Sequence, residues 1–335
     1  MTRRTLLMAT CIAAIAAPAL ADVNIYTTRQ PELIQPVMDA FTEQTGIAVN
    51  MAFVDGGIVE RLQAEGSRSP ADLVMTVDIA NLQQIVDAGV VQAVDSDILQ
   101  AAIPADLRSP DNLWFGLTTR ARIVYASRDR VADGEVTTYE DLADPRWQGR
   151  ICTRSGTHDY NLALMSAVIA HLGEDGARDW AAGVRDNLAR KPQGNDRAQV
   201  KAIWAGECDI SLGNTYYMGQ MLADPEQVEW ANSVRIVFPE FEGGGTHVNV
   251  SGVALTQAAP NREEAVQLME FLVSPTAQAI YAETNSEYPV LAGAELSDLV
   301  ASWGTFTADN VALSDLAEQR STALRIMEEV DFDGE

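Results

Sequence analysis

Strand-like and helix-like segments alternate three times between residues 22 and 89. The strand-like segments are short and rich in apolar residues, and they cover 22–27, 47–54 and 72–77. The helix-like segments repeat apolar residues every three or four positions and end at Gly46, Gly66 and Gly89. Because adjacent parallel strands need a crossover, usually a helix, this alternation predicts an α/β fold with helices around a mainly parallel sheet.

The remainder of the chain predicts a second α/β unit. Strands are expected at 114–127, 208–212, 234–238 and 247–255, with a second sheet starting at 151–153. Helices are expected to begin near Asp159, Asp196, Asn261 and Ser274, and another to carry Trp180. The apolar spacing places Leu172 and Trp204 on buried faces, and Asn261 with Glu264 fits a capping box.

Two α/β halves without a flexible joint predict two lobes joined by continuous strands. The strands are expected to cross near 118–120 and near 248–251, and a ligand would sit in the cleft between the lobes. We expect lobe 1 to comprise residues 22–118 and 250–297. Lobe 2 is expected to comprise residues 119–249 and 298–335.

Residues 1–21 have the pattern of an export signal. Arg3 and Arg4 precede a mostly apolar run, and the segment 19–21 is a small-x-small cleavage site. The run is too short to predict a membrane span. The signal fits the general secretory route, and residues 2–7 also resemble a twin-arginine signal, which directs folded proteins.

The charge and the cysteines limit the classes of partner and of chemistry. Loss of Arg3 and Arg4 with the signal changes the formal net charge from −25 to −27, and such a chain repels nucleic acid and anionic lipid. Cys152 and Cys208 remain in the mature chain, where an oxidising compartment permits a disulfide; a free buried pair is the alternative.

The familiar enzyme motifs do not occur in the sequence. It has no nucleophile elbow, Walker loop or dinucleotide fingerprint, and its three histidines do not predict a zinc site. A secreted hydrolase that uses an Asp/Glu pair remains an alternative. However, 48 acidic residues make some such pair inevitable, so this signal carries almost no information.

Three tyrosines occur at chain turns that would face the cleft, namely Tyr160, Tyr216 and Tyr217. Phenolates are hard anionic ligands, and three of them balance the charge of iron(III) and fill half of an octahedron. An anion such as carbonate would occupy further positions. Arg29, with Arg120 or Arg122, is placed to hold such a planar oxyanion. The other tyrosines are expected to be packing residues: Tyr26, Tyr125, Tyr139, Tyr281 and Tyr288.

Several segments resemble those of periplasmic ferric-iron-binding proteins that serve ABC importers, and the resemblance covers nearly the whole mature chain. The segments are 23–31, 69–73, 141–149, 191–198, 213–217 and 287–289. The family's metal motif, Asn-x-Tyr-Tyr after a strand, corresponds to Asn214 through Tyr217. Tyr160 matches the third tyrosine that many members use.

The resemblance implies a two-lobed, type 2 periplasmic-binding fold in which the C-terminal helices pack on the second lobe. Where many relatives have a histidine after the first strand, this chain has Gln30 and Pro31. It therefore resembles the branch that binds Fe3+ with three tyrosines and a carbonate-like anion, with Arg29, Gln30 and Arg120 as the anion holders. The implied protein is a periplasmic monomer that delivers iron to an ABC permease.

A binding protein for an organic cation, such as a polyamine or thiamine, is the second hypothesis. The tyrosines would then form an aromatic cage around the cation. Such cages usually include tryptophan, and the tryptophans here fall mainly in helical core patterns. The sequence therefore favours the metal hypothesis.

Overall fold

A computed structural model describes residues 22–54 and 56–334, so the predicted export signal at 1–21 lies outside the described residues. The strands are β1 (Val23–Thr27), β2 (Val49–Phe53), β3 (Leu73–Thr76), β4 (Val91–Gln92), β5 (Phe115–Ser127), β6 (Ile151–Cys152), β7 (Ile210–Asn214), β8 (Val234–Val237), β9 (Val248–Thr256) and β10 (Tyr288–Pro289).

Helices follow most of the strands, as the alternating pattern predicts. They are α1 (Gln35–Thr45), α2 (Ile58–Glu65), α3 (Ile79–Asp87), α4 (Asp97–Ala102), α5 (Asp159–Asp186), α6 (Asp196–Trp204), α7 (Tyr216–Ala223), α8 (Val228–Asn232), α9 (Arg262–Leu272), α10 (Pro275–Asn285), α11 (Asp298–Ala301), α12 (Leu313–Glu318) and α13 (Arg320–Glu329). Within the described part of the chain, none of these helices combines the length and apolar character of a membrane span.

The described strands form a mixed sheet in the order β2-β1-β3-β9-β5-β7-β6. Strand β1 pairs in parallel with β2 and β3, and β6 pairs in parallel with β7. Strand β9 runs antiparallel to both β3 and β5. The short strand β4 pairs with β9, whereas β8 and β10 pair with β5. The two expected sheets are therefore two sections of one sheet that share β5.

The long strand β5 connects the two sections. Its first part, from Phe115 to Ala121, pairs with β9, and from Arg122 onward it pairs with β7. Strand β8 pairs with the last four residues of β5. The change of partner falls close to the predicted crossing at 118–120. The division of the chain into lobes at 118/119 and 249/250 stays a prediction.

Helix α1 illustrates how the first section is stabilised. Its apolar residues Val37, Met38 and Phe41 are buried, and the helix ends at Gly46, whose φ of 77° suits glycine. The Phe41 ring lies 5.4 Å from the ring of Phe271 on α9. Burying a side chain of this size contributes roughly 1.5–3 kcal/mol. This packing holds the outer helices against the sheet that carries β1.

The C-terminal helices contact both sections of the sheet. Helix α13 packs along α5, in agreement with the position that the family resemblance implies. Helix α12 also packs against α3, which belongs to the first section, and it buries Leu313 and Leu316 there. The C-terminal helices therefore pack against the first section as well as the second.

Three local predictions are wrong. Leu172 is 36% exposed, because Gly173 has non-helical backbone angles and breaks the predicted run there. Trp204, the last residue of α6, is 47% exposed, whereas Val200 and Ile203 of the same helix are buried. Asn261 makes no side-chain cap for α9; its amide donates instead to the Asp22 carbonyl and to Asp72.

Cys152 and Cys208 form a disulfide. Cys152 ends β6, and Cys208 lies two residues before β7, the parallel neighbour of β6. Both side chains are buried. The bond joins the start of the second section to the strand that leads into the two adjacent tyrosines.

Candidate functional site

Tyr160, Tyr216 and Tyr217 lie together at the wall of a cavity of about 210 Å³. The hydroxyl of Tyr216 donates to the hydroxyl of Tyr160 over 3.0 Å, although the residues are 56 positions apart. The ring centroids of Tyr216 and Tyr217 are 4.3 Å apart. The structure thus brings the three predicted tyrosines to one cavity. Arg29, Gln30 and Arg120 also line it, so all six predicted cleft residues meet there.

The turn between β7 and α7 places Tyr216 and Tyr217. The ring of Tyr125 packs directly on Gly213, where an added Cβ would lie 2.2 Å from the ring. The Tyr125 hydroxyl donates to the Asn214 carbonyl over 2.7 Å. Only glycine permits this close approach. Tyr125 is therefore buried as predicted, and it also fixes the turn that carries the two adjacent tyrosines.

Helix α7 is held against the chain that leads into β10. A Cβ at Gly219 would lie 2.1 Å from the Oγ of Ser286, so only glycine allows the two segments this close. Ser286 itself has a φ of 54°, in the left-handed region. This contact fixes α7 relative to Glu287, the next residue along the chain.

Tyr160 lies in the first turn of α5. His158 caps this helix, because its Nδ1 accepts a hydrogen bond from the Tyr160 amide over 3.2 Å. Burial, together with the charge of Arg154, lowers the pKa of His158 to about 4, so its ring is neutral and able to accept. The sequence left open whether His158 approaches the cleft. Its ring contacts the Tyr160 ring at 4.8 Å, edge to face.

Asp196 connects the elements behind the tyrosines. This buried carboxylate pairs with Arg122 over 2.7 Å and with Arg154 over 3.2 Å, and it accepts from the Asn214 amide over 3.1 Å. Arg122 also donates to Asn161 over 2.6 Å. Arg120 and Arg122 were the alternatives for the second anion holder beside Arg29. Arg122 is committed to an internal ion pair instead. Breaking such a buried pair typically costs 3–5 kcal/mol.

Arg29 and Arg120 form another wall of the cavity. The Nη1 of Arg29 donates to the Oγ of Ser251 over 2.8 Å, and the Nη1 of Arg120 donates to the same atom over 3.3 Å. Arg29 also pairs through Nη2 with Glu287 over 2.9 Å. Burial alone would lower the pKa of Arg29, but the charge and hydrogen bond of Glu287 raise it, so Arg29 is a cation.

Two guanidinium donors on this wall have no partner among the described residues. They are the Nε of Arg29 and the Nη2 of Arg120, and both are buried. Buried donors in native proteins are nearly always satisfied by protein, water or ligand. The exposed side chain of Gln30 also lies at the cavity. These groups suit an oxyanion that accepts several hydrogen bonds.

Sequence reasoning missed several residues at the cavity. They include Thr28, Asn195, Arg197, Gln220 and Glu287. Asn195 caps α6 through the Ala198 amide, and Arg197 lies in the first turn of that helix. The segments 191–198 and 287–289 stood out only through the family resemblance. Nothing in their spacing predicted that they reach the tyrosines.

Burial keeps the phenols of Tyr216 and Tyr217 protonated at neutral pH. Burial, reinforced by the neighbouring phenols Tyr160 and Tyr217, raises the pKa of Tyr216 well above 10. Burial, together with Tyr160 and Asp196, raises the pKa of Tyr217 to about 12. The cavity also receives the first turns of α5, α6 and α7, whose partial positive charges favour anions. Phenolates therefore need a bound cation, and the helix ends assist them.

The donor set at the cavity is unusual for a metal site. Among residues 22–54 and 56–334, no three or more histidines, cysteines or carboxylates cluster so as to hold a metal ion. The three convergent phenols are oxygen donors of the kind that a hard trivalent cation prefers.

The remaining histidines and tyrosines have internal roles. The Nε2–H of His171 donates to the Asp309 carboxylate over 3.0 Å, and the ring stacks on Phe241, which agrees with the predicted structural role of His171. Tyr26, Tyr139 and Tyr281 are buried, whereas Tyr288 is half-buried. None of these residues lines the cavity.

Comparison with known proteins places the chain in context. Residues 68–307 match the family model described as bacterial extracellular solute-binding protein. The chain is 45% identical to Iron uptake protein A1 of Synechocystis sp. over 316 residues, covering 93% of this chain and 87% of the relative.

Solved structures give the same picture. An apo ferric ion-binding protein A from Pasteurella haemolytica is 48% identical, with a TM-score of 0.89, covering 93% of this chain and 98% of that chain. A Trichodesmium protein solved in complex with iron and citrate is 40% identical, with a TM-score of 0.88 and coverage of 93% and 99%. The predicted fold class is therefore confirmed.

Proposed function

The chain belongs to the family of bacterial extracellular solute-binding proteins, and we propose that it captures iron(III) in the periplasm and delivers it to the permease of an ABC importer. It is a binding protein rather than an enzyme, since the matching family and relatives are solute-binding and iron-uptake proteins. The hydrolase hypothesis therefore has no support.

We propose Tyr160, Tyr216 and Tyr217 as the protein ligands of the metal. The observation that carries this proposal is the meeting of three phenols at one cavity that is also lined by arginines. On binding, each phenol would lose its proton, and the three phenolates would neutralise the charge of iron(III). The metal would then have three protein ligands and further positions open.

A carbonate-like anion is proposed to fill the open positions. The charged side chains at the cavity are Arg29, Arg120, Arg197 and Glu287, of which Arg29 and Glu287 form an ion pair. With the metal neutralised by phenolates, Arg120 and Arg197 leave two positive charges, which a dianion would balance. The free donors of Arg29 and Arg120 would hold it, with Gln30 beside them.

The organic-cation alternative fits the cavity less well. The positive charges of Arg120 and Arg197 would repel a polyamine or thiamine at the cavity. A volume of about 210 Å³ is also below the 300–1,000 Å³ typical of pockets for organic ligands. We therefore retain the metal proposal alone.

The test of this proposal is a set of tyrosine-to-phenylalanine variants. Phenylalanine keeps the ring and removes one anionic oxygen, so folding should change little. Tyr160→Phe, Tyr216→Phe and Tyr217→Phe should each weaken iron(III) binding by on the order of a hundredfold or more, since outer-shell changes alone cost 10–100-fold. Visible spectra should show loss or a shift of the tyrosinate band, and competition with a chelator gives the affinity.

Tyr26→Phe is the matched control. Its ring is buried in the first section, its hydroxyl bonds to Glu65, and it does not line the cavity. This variant should bind iron(III) as the parent does. Parental binding by both Tyr216→Phe and Tyr217→Phe would show that the metal lies elsewhere.

A further inference from the structure

Glu287 is a buried carboxylate at the wall of a cavity proposed to bind an anion. It is 2% exposed, it pairs with Arg29 over 2.9 Å, and the hydroxyl of Thr118 donates to it over 2.8 Å. A carboxylate beside an anion site repels the anion, and burying it costs several kcal/mol unless it is paired. Its position therefore calls for a role beyond packing.

The geometry shows what the carboxylate does to Arg29. Glu287 occupies Nη2 and Ser251 occupies Nη1, so only Nε is left without a partner among the described residues. Arg120 keeps Nη2 free. Arg29 thus offers the cavity one hydrogen bond and, because of its counter-charge, almost no net charge. Arg120 offers both.

We infer that Glu287 determines the charge of the anion that the site accepts with the metal. This inference rests on the proposed iron(III) function. By cancelling the charge of Arg29, Glu287 leaves Arg120 and Arg197 as the two lining arginines that form no ion pair among the described residues. The site then suits a doubly charged anion such as carbonate. A triply charged anion such as citrate leaves one negative charge without compensation.

Replacement of Glu287 by glutamine changes this balance with little change of shape. Glu287→Gln restores the full charge of Arg29, so three cations face the anion. One additional charge at roughly 6–12 Å from the anion, at an effective dielectric constant near 20, changes a binding constant by about tenfold to a hundredfold. The variant should therefore favour citrate over carbonate by about that factor relative to the wild type.

The experiment measures the apparent iron(III) affinity of the full mature protein with bicarbonate and, separately, with citrate. The readout is the visible tyrosinate band, and the quantity compared is the citrate-to-bicarbonate affinity ratio in wild type and variant. Chelation of iron by citrate in solution is the same for both proteins and cancels in this comparison. Glu287→Gln should raise the ratio at least about tenfold.

Three further variants make the test specific. Thr118→Val removes a hydrogen bond to Glu287 but keeps its charge, and Glu65→Gln makes the same chemical change at a carboxylate away from the cavity. Both should keep the wild-type ratio. The double variant Arg29→Gln/Glu287→Gln removes both charges, so it avoids an unpaired buried cation and should also keep the ratio while binding either anion more weakly.

The outcomes separate the two levels of the proposal. An unchanged ratio in Glu287→Gln would overturn the role of Glu287 and leave the iron function standing. If Glu287→Gln does not fold, the double variant becomes the test. A citrate-to-bicarbonate ratio above that of the wild type in the double variant would then overturn the role of Glu287. No coloured complex in the wild type with either anion would overturn the proposed function, and this inference with it.

Discussion

Iron(III) affinity should fall steeply as the pH drops, because protons and the metal compete for the same phenol oxygens. The pKa of Tyr216 lies well above 10 and that of Tyr217 is about 12, so both carry protons at neutral pH. Binding must release these two protons, and the Tyr160 phenol supplies a third where it also binds as phenolate. Each released proton contributes one unit to the slope of log affinity against pH.

The magnitude follows from this count. A slope of two to three means that lowering the pH by one unit weakens binding by about a hundredfold to a thousandfold. The sign is fixed by the direction of the shifts: raised pKa values keep the phenols protonated, so affinity continues to rise with pH through neutrality. If the anion enters as bicarbonate and binds as carbonate, one further proton is released.

The assay is a chelator competition at several pH values, read at the tyrosinate band, with wild type and Tyr217→Phe side by side. Iron hydrolysis and chelator protonation affect both proteins equally, so the difference between the slopes reports the protein alone. The Tyr217→Phe slope should be lower by one. Equal slopes would mean that Tyr217 does not bind as a phenolate.

Three other measurements follow from the structure. Replacing Cys152 and Cys208 by alanine should lower the free energy of unfolding by about 2–4 kcal/mol, since the disulfide closes a loop with a sequence separation of 56. Chemical denaturation measures this difference, and equal stability of wild type and variant would show that the bond does not form. Burial lowers the pKa of His247 to about 3, below its ordinary value of 6.5. The stabilisation that this neutral, buried ring contributes should be complete above pH 6.5 and should decline as the pH falls toward 3. His247→Gln should therefore lose less stability in acid than the wild type. Identical profiles of unfolding free energy against pH for the two proteins would contradict this prediction. Iron with its anion should compact the protein in small-angle scattering, whereas an identical radius of gyration with and without ligand would refute closure.

The sequence predicted those parts of the fold whose local patterns agree with tertiary packing. Helix α1 has an apolar face and ends at Gly46, and both features are read directly from spacing and from the glycine. Where tertiary contacts compete, local rules failed. Asn261 fits a capping box, yet Asp72 and the Asp22 carbonyl take its side-chain amide. A single stretch of sequence does not show which distant residues will bind a given side chain.

The same distinction applies to the site. Tyr216 and Tyr217 follow a strand and precede a helix, so a local motif indicated their position. Glu287 could not be found in this way, because its partner Arg29 is 258 positions distant. Arg197 is half-buried in the first turn of a helix and gives no local signal. The convergence of the tyrosines on one cavity was therefore predictable from the sequence, whereas the pairing of Arg29 with Glu287 was not.

The arrangement of the cavity suggests that the anion, rather than the metal, connects its two walls. All three proposed metal ligands come from α5 and α7, in the second section of the sheet. The proposed anion holders Arg29 and Arg120 come from the turn after β1 and from β5, and Glu287 from the segment before β10. A metal bound only by phenolates would thus contact one wall. An anion bound to that metal would accept hydrogen bonds from the other wall as well. Since a ligand favours a closed form only through contacts made in that form, closure should depend on the anion. Loss or exchange of the anion would then release the contact between the walls before the phenolates release the metal.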